Sequence, residues 1–222
     1  MKIVFYSNIY MLICSVISLS YGLHKIFNSK KTAMYFQFGV FTMLCIVLSR
    51  LFYTVSIVCF GELPQIFNIG FIGYCAMFMF LFFSNYGQID KLVDDRKTVK
   101  PIYRIIPAVI SVPELAAGIA ALLFGTVQFS VRLSFLVMTI LAGLAGYYNL
   151  KHMIIPDIEF GIVKSIKAYN LTALFLEILT LAEIGLSCFG INEPIIFVQA
   201  ALGIIYAVTL PILHKGVTKW TQ

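Results

Sequence analysis

Residues 64–85, PQIFNIGFIGYCAMFMFLFFSN, are followed at 86–104 by YGQIDKLVDDRKTVKPIYR. The first stretch is long and apolar enough for a membrane-spanning helix, because about 20 mostly apolar residues cross the hydrocarbon core of a bilayer. The second stretch is a polar loop rich in lysine, arginine and aspartate. Together they predict a helical membrane protein and mark one end of this helix as basic.

The composition of the whole chain agrees with this prediction. The 222 residues are 60% hydrophobic and 12% charged, with a mean hydropathy of +0.94. Soluble domains are roughly half apolar and about a quarter charged. The net charge of +6 fits basic loops beside anionic lipid head groups, so no nucleic-acid partner is expected. We therefore expect an all-α integral membrane protein.

The pattern of apolar segments predicts a single domain, residues 1–222, that is a seven-transmembrane helix bundle. The predicted helices cover about residues 3–23, 33–60, 64–85, 105–127, 131–150, 165–189 and 194–213. The five cysteines lie in apolar surroundings without a CxxC spacing, which favours free thiols. A disulfide between Cys59 and Cys188 stays open at this point.

Basic residues are concentrated at one end of the predicted helices. Only Lys2 and Arg132 fall at the other end, and Arg50 lies within a predicted span. The positive-inside rule then predicts an N-terminus outside and a C-terminus in the cytoplasm, in the plasma (inner) membrane. The loop cations expected beside anionic head groups are Arg96, Lys97, Lys100 and Arg104.

A short internal repeat links two of the predicted hairpins. Residues 59–61, CFG, with PQIF at 64–67, recur as CFG at 188–190 with PIIF at 194–197. The two copies fall between predicted helices 2 and 3 and between helices 6 and 7. This favours a 3+1+3 plan, in which helices 1–3 and 5–7 are parallel repeats joined by helix 4.

Four ionisable residues lie inside predicted spans, where an unpaired charge is costly. Counting about 1.5 Å per residue places Glu114 and Glu177 near mid-depth, with Arg50 between the levels of Glu177 and Glu183. We expect Arg50 to pair with a glutamate of predicted helix 6, because a buried ion is stable only beside a partner.

Polar residues near these charges predict a ligand pocket between predicted helices 2, 3 and 6, opening outward. Tyr53 lies near Arg50 on one helix face, and Asn170 lies near Glu177 on another. The alternative is a buried ion pair that only joins helices. The candidate ligand-binding residues are Arg50, Tyr53, Tyr74, Glu114, Asn170, Glu177 and Glu183.

The polar loop carries a second candidate site. If this segment is helical, Asp90 and Asp94 lie on one face, a spacing that can hold Mg²⁺ and a diphosphate. With Asn85, they resemble the first aspartate motif of membrane prenyltransferases of the UbiA type. The resemblance implies an Mg²⁺-dependent lipid or prenyl-phosphate enzyme. The spacing is one residue longer here and the second aspartate motif is missing, so solvated loop charges are the alternative.

In length, predicted orientation and a last helix that leads into the cytoplasm, the chain resembles the seven-helix membrane sensor regions that precede kinase or cyclase domains in bacteria. The resemblance implies a non-enzymatic, receptor-like sensor that binds a small or lipid-like ligand and signals to a separate cytoplasmic partner. A small-solute transporter with a mid-membrane Arg/Glu site is the next alternative. No cofactor is expected, and membrane lipids are the expected surroundings.

Overall fold

The computed structural model describes residues 2–29, 32–61, 69–90, 94, 100–156, 161–191 and 193–221. Within these residues the structure is all-α, with seven α-helices and one π-helical turn, Tyr86–Asp90, directly after the third helix. The helices are α1 (Lys2–Asn28), α2 (Met34–Phe60), α3 (Ile69–Asn85), α4 (Ile102–Phe124), α5 (Phe129–Ile154), α6 (Ile162–Cys188) and α7 (Ile195–Thr221).

Six of the seven described helices are long and apolar enough to cross a membrane, and α3, with 17 residues, is a shorter apolar helix. Large apolar side chains face outward along the bundle, such as Val109 and Phe124 on α4, which are 63% and 73% exposed. An outer surface of this kind is stable in lipid and not in water. The chain therefore has the build of a multi-pass membrane protein.

The helices form a ring with one helix outside it. In the order α1, α2, α3, α5, α6 and α7, each helix packs against the next, and α7 closes the ring on α1 and also contacts α2. The remaining helix, α4, packs outside the ring against α5 and touches α6. Residues on α1, α2, α3, α6 and α7 can therefore meet inside the ring.

Side-chain contacts show how the helix ends are arranged. The Tyr21 hydroxyl near the end of α1 lies 3.2 Å from His214 Nδ1 near the end of α7. At the opposite end, the Ser7 hydroxyl of α1 donates to the Gln199 side chain of α7. We call the end where α1, α3, α5 and α7 finish the basic end, because most lysines and arginines of the described residues lie there.

Three helices extend further toward the basic end than predicted. The first ends at Asn28 instead of residue 23, the fifth at Ile154 instead of 150, and the last at Thr221 instead of 213. The extension of α5 has a clear cause, because Lys151 and His152 are buried against acidic and amide side chains rather than solvated in a loop. Hydropathy alone ends a helix at its first charged residues and so stops too early.

The prediction for the fourth helix is displaced by about one turn. It begins at Ile102, directly after Pro101, and ends at Phe124, whereas residues 105–127 were expected. The Thr126 amide already donates to the Cys188 carbonyl oxygen at 2.9 Å, so the chain there belongs to the turn that packs against the end of α6. The predicted start of the third helix, residues 64–68, lies outside the described residues.

Both copies of the CFG repeat place a glycine with positive φ just beyond the end of a helix. Gly61 (φ 78°) follows α2 and donates its N–H to the Ile57 carbonyl at 2.9 Å, and Gly190 (φ 72°) follows α6. Glycine is favoured at such left-handed positions because it has no Cβ. This capping role accounts for the shared glycine, and the 3+1+3 plan stays a prediction. All five cysteines are free, so Cys59 and Cys188 do not pair.

The close packing of α2 and α3 is testable at Gly73. A Cβ at this position would lie 2.0 Å from Ser49 Oγ and 3.1 Å from the Cys45 carbonyl oxygen. We expect Gly73→Ala to lower the free energy of unfolding by about 1–3 kcal/mol, the usual effect of overpacking. Thermal unfolding in detergent micelles, followed by circular dichroism, measures the change.

The matched control is Gly143→Ala on α5, where the nearest atom to the added Cβ is 3.8 Å away. This variant gains helix propensity without a clash, so its stability should stay equal or rise by up to about 1 kcal/mol. Equal stabilities for the two variants would contradict the close approach of α2 and α3.

Candidate functional site

A buried ion pair joins α2 and α6 inside the ring. Arg50 is 2% exposed and Glu183 is 8% exposed. The Arg50 guanidinium donates from Nη1 to Glu183 Oε1 at 2.9 Å and from Nη2 to Glu183 Oε2. This fork-to-fork pairing neutralises both charges inside the bundle, as expected for Arg50 and a glutamate of the sixth helix.

Two more helices complete the surroundings of this pair. Tyr206 on α7 accepts a hydrogen bond from Arg50 Nη2 at 3.0 Å, and the Asn8 side-chain oxygen on α1 lies 3.4 Å from Nη1. On the other side, Gln199 Nε2 on α7 donates to Glu183 Oε1 at 2.7 Å. The ion pair therefore holds together α1, α2, α6 and α7.

Aromatic rings cover the guanidinium. The Arg50 Cζ atom lies 5.4 Å from the ring centroid of Tyr74 on α3 and 5.7 Å from that of Tyr206. Tyr53 stacks on Tyr74, with ring centroids 6.1 Å apart and an interplanar angle of 25°. Such cation–π contacts stabilise a desolvated guanidinium and bring α3 into the same site.

Two buried donors at this site have no acceptor among the described residues: Arg50 Nε and the Tyr74 hydroxyl. Tyr74 is 2% exposed. Buried polar atoms normally find a partner, so each unpaired one needs an explanation. We call the group Arg50, Tyr74, Glu183, Gln199 and Tyr206 the Arg50 site; it can accept one further oxygen atom as a hydrogen-bond partner.

The other two predicted glutamates form a separate group, outside the ring, between α4, α5 and α6. Glu177 is fully buried and interacts with Glu114 and with the Asn149 amide. A Cβ at Gly146 would lie 2.6 Å from Glu177 Oε1, so the carboxyl group rests directly on the backbone of α5. No lysine, arginine or histidine in the described part of the chain forms an ion pair with either glutamate.

A third group of charges lies at the basic end. Lys151 Nζ lies 2.5 Å from Asp90 Oδ1 and 2.6 Å from Asp94 Oδ2, and Arg104 Nε donates to Asp94 Oδ2 at 2.9 Å. His152 Nε2 lies 3.2 Å from Asp90 Oδ1. These side chains tie the residues after α3 to the start of α4 and the end of α5.

The charges set the protonation of the two aspartates. Hydrogen bonding by Arg104, with a further contribution from Lys151, lowers the pKa of Asp94 to about 2. Burial alone would raise the pKa of Asp90, but hydrogen bonds from His152 and Lys151 outweigh it and lower that pKa. Both carboxylates are thus ionised and already neutralised by protein cations.

This neutralisation bears on the predicted Mg²⁺ site. Among the described residues, no group of three or more histidine, cysteine, aspartate or glutamate side chains could hold a metal ion. The Asp94 N–H donates to the Asp90 carbonyl oxygen at 2.8 Å, and both carboxylates contact Lys151 Nζ, so the two side chains lie about one turn apart on the same side. The role of Asp90 and Asp94 in holding Mg²⁺ stays a prediction.

A chain of amide and hydroxyl groups runs from the basic end into the bundle. His152 Nδ1 lies 3.0 Å from Asn85 Oδ1, and Asn85 Nδ2 donates to Asn149 Oδ1 at 2.5 Å. The Tyr35 hydroxyl lies 3.1 Å from Asn85 Oδ1 and 3.3 Å from Asn170 Oδ1. All five side chains are buried, so the polar chain connects α2, α3, α5 and α6.

The structure thus places the predicted ligand-binding residues in three separate groups. Arg50, Tyr53, Tyr74 and Glu183 come together, Glu114 and Glu177 form a second group, and Asn170 joins the polar chain. Their binding role stays a prediction. Of the loop cations, Arg104 pairs with Asp94, whereas Arg96 and Lys97 lie outside the described residues.

The site also includes residues that the sequence did not single out. Isolated amides within apolar helices are a usable signal, and Asn8, Asn149 and Gln199 all carry it. Tyr206 gave no such signal, because tyrosine is common in membrane helices.

No family model, curated protein or solved structure matches the chain.

The Arg50–Glu183 pair should behave as a coupled unit. Either Arg50→Met or Glu183→Leu alone should destabilise the protein by about 3–5 kcal/mol, because one buried charge loses its partner. The double variant should recover most of the loss, since both charges are removed together. Folded yield by size-exclusion chromatography and thermal unfolding are measured for the wild type, the two single variants and the double variant. If the stability loss of the double variant equals the sum of the two single losses, the pairing is contradicted.

The Asp94 cluster should make stability depend on acid pH. With a pKa of about 2 in the folded chain and about 3.9 when unfolded, Asp94 stabilises the protein above about pH 4 and loses this effect as the pH falls toward 2. Asp94→Asn should remove about 1–2 kcal/mol at neutral pH and flatten the acid side of the stability curve.

The control for this prediction is Glu193→Gln, an exposed carboxylate at the other end of the bundle. Its stability curve between pH 2 and 7, measured by thermal unfolding, should follow that of the wild type. Parallel acid limbs for wild type and Asp94→Asn would show that the Asp94 contacts contribute no stability.

Proposed function

We propose that the chain is a seven-span, receptor-like membrane sensor whose Arg50 site binds a small or lipid-like molecule. In this proposal α3 is the seventh span. Its 17 residues give a rise of about 25 Å, which approaches the thickness of about 30 Å of the hydrocarbon core. Its place in the ring between α2 and α5 supports the same conclusion.

The chemistry of the site restricts the ligand. Arg50 and Glu183 already neutralise each other, so an anionic ligand would leave a net negative charge in a buried site. The unpaired Arg50 Nε and Tyr74 hydroxyl both donate hydrogen bonds. A neutral molecule with a carbonyl, hydroxyl or ether oxygen satisfies these donors without adding charge.

The observation that carries the proposal is the position of α6. This helix bears Glu183 at the Arg50 site and Asn170 in the polar chain that leads to Asn85, His152 and Asp90 at the basic end. A ligand that shifts Glu183 thereby acts on the helix whose other end is linked to the charged cluster through the hydrogen bonds of Tyr35 and Asn85. Under the predicted orientation, this cluster faces the cytoplasm and a signalling partner there.

A small-solute transporter is the second candidate. The favouring observation is the pair Glu114 and Glu177, two neighbouring carboxyl groups that form no ion pair with a described cation; the sequence predicts both near mid-depth. Transporters place coupling-ion sites at this depth. Uptake of solute into proteoliposomes, coupled to an ion gradient and abolished by Glu177→Gln, would favour transport over sensing.

The sensor proposal is tested at the Tyr74 hydroxyl. The protein is purified from its native membrane in mild detergent, and bound molecules are extracted and quantified by mass spectrometry. Tyr74→Phe should reduce the retained molecule about tenfold, the usual effect of one lost hydrogen bond of about 1–1.5 kcal/mol. Folding should be unchanged, because the hydroxyl has no partner among the described residues.

The control is Tyr6→Phe, which removes the hydroxyl of a side chain that is 65% exposed at the outer surface of α1. This variant should retain the wild-type amount of the molecule. The ligand proposal fails if nothing is enriched with the wild-type protein, or if Tyr74→Phe and Tyr6→Phe retain equal amounts.

A further inference from the structure

The pair Glu114 and Glu177 is not accounted for by the Arg50 site. Glu177 is fully buried, and neither of its carboxyl oxygens has a hydrogen-bond partner among the described residues. Asn149, also fully buried, places its amide beside this carboxyl, but its Nδ2 likewise completes no hydrogen bond. With Glu114 Oε2, which also has no partner among the described residues, four unsatisfied buried polar atoms lie at one place and indicate that the site holds something further.

The space around Glu177 leaves room for very little. A Cβ atom added at Gly146 would lie only 2.6 Å from Glu177 Oε1, so the carboxyl group is in close contact with the backbone of α5. A Cβ atom added at Gly143, one turn nearer the start of α5, would lie 3.8 Å from Glu114 Oε2. A bulky ligand does not fit between these glycines and the glutamates, whereas a proton needs no space.

The described helices around Glu177 place no unpaired cation beside its carboxyl group. From α4 the facing group is Glu114; from α5 it is the neutral Asn149 amide. Further along α6 itself, Glu183 is neutralised by Arg50 of α2, and on α7 Tyr206 is bound to the same arginine. Two carboxylates in a low-dielectric interior, with no cation beside them among the described residues, repel each other strongly, so the stable state shares at least one proton.

We propose that Glu114 and Glu177 form a proton-binding site that holds α4 against α5 and α6, and that loss of the proton releases α4. A protonated carboxyl donates to its neighbour across the α4–α6 contact, whereas two ionised carboxylates push the helices apart. The proposal is independent of the Arg50 site.

The position of α4 makes it the element that responds. It lies outside the ring and packs only on α5 and α6 among the described helices, apart from slight contacts. Its close approach to α5 is at Gly118, where a Cβ would lie 2.1 Å from Thr139 Oγ1. Most of its other side chains face outward, so few contacts oppose its release.

The first measurement detects the proton. Infrared spectra of the protein in bilayers, recorded across a pH titration in H₂O and D₂O, show the C=O stretch of a protonated carboxyl. We expect this band at neutral pH in the wild type, its loss as the pH rises, and its absence at neutral pH in Glu177→Gln. Equal bands in wild type and Glu177→Gln, or no band in the wild type, would overturn the proposal.

The second measurement follows α4. Amide hydrogen exchange, corrected for the intrinsic effect of pH, should become on the order of tenfold faster in α4 on deprotonation. Glu114→Gln mimics the protonated acid and should remove this pH dependence. Because Glu114 is only half-buried, this variant serves also if Glu177→Gln does not fold. Unchanged α4 exchange across the titration would overturn the release of α4.

A matched pair of glycine variants tests the geometry. Gly146→Ala displaces the Glu177 carboxyl and should shift the midpoint of the carboxyl titration, whereas Gly143→Ala should leave it within error of the wild type. Equal midpoints in the two variants would contradict the placement of Glu177 on α5. A midpoint that moves when sodium replaces choline in the buffer would assign the site to a metal cation instead of a proton.

Tyr74→Phe separates this inference from the ligand proposal. Its infrared band and α4 exchange should equal those of the wild type whether or not the Arg50 site binds a molecule. A loss of both signals in Tyr74→Phe would contradict the independence of the two sites.

Discussion

The structure depends on the neutralisation of one guanidinium inside an apolar bundle. Arg50 cannot be left unpaired in hydrocarbon, so its position requires a carboxylate and several acceptors nearby. Glu183, Tyr206 and Asn8 meet this need from three other helices, and Tyr74 adds an aromatic face from a fourth. One buried charge thus dictates how five of the six ring helices are placed.

The sixth helix connects the polar features of the bundle. Glu183 faces the ring interior and holds Arg50, Glu177 faces α4 and α5, and Asn170 meets the hydroxyl of Tyr35 near the basic end. A helix with polar groups on several faces is stable in a membrane only where protein surrounds it. This agrees with α6, which is the most buried of the candidate spans.

Sequence reasoning reached part of this arrangement and missed part for physical reasons. The pairing of Arg50 with a glutamate of the sixth helix follows from the cost of a buried charge, but the choice between Glu177 and Glu183 depends on the rotation of α6 about its axis. Rotation is decided by packing against α5 and α7. Lys151 and His152 were assigned to a loop because single-sequence hydropathy does not register partners such as Asp90.

The sequence by itself determined the membrane class, the helical architecture and the approximate place of each helix, because these depend on local hydrophobicity and length. It also determined which residues need partners, because the cost of burying a charge does not depend on the fold. Only the tertiary structure decided which partners they have: Glu183 for Arg50, Glu114 for Glu177, and Lys151 for both Asp90 and Asp94. Partner choice rests on distances of a few ångströms between helices far apart in the chain, and hydropathy carries no information about these distances.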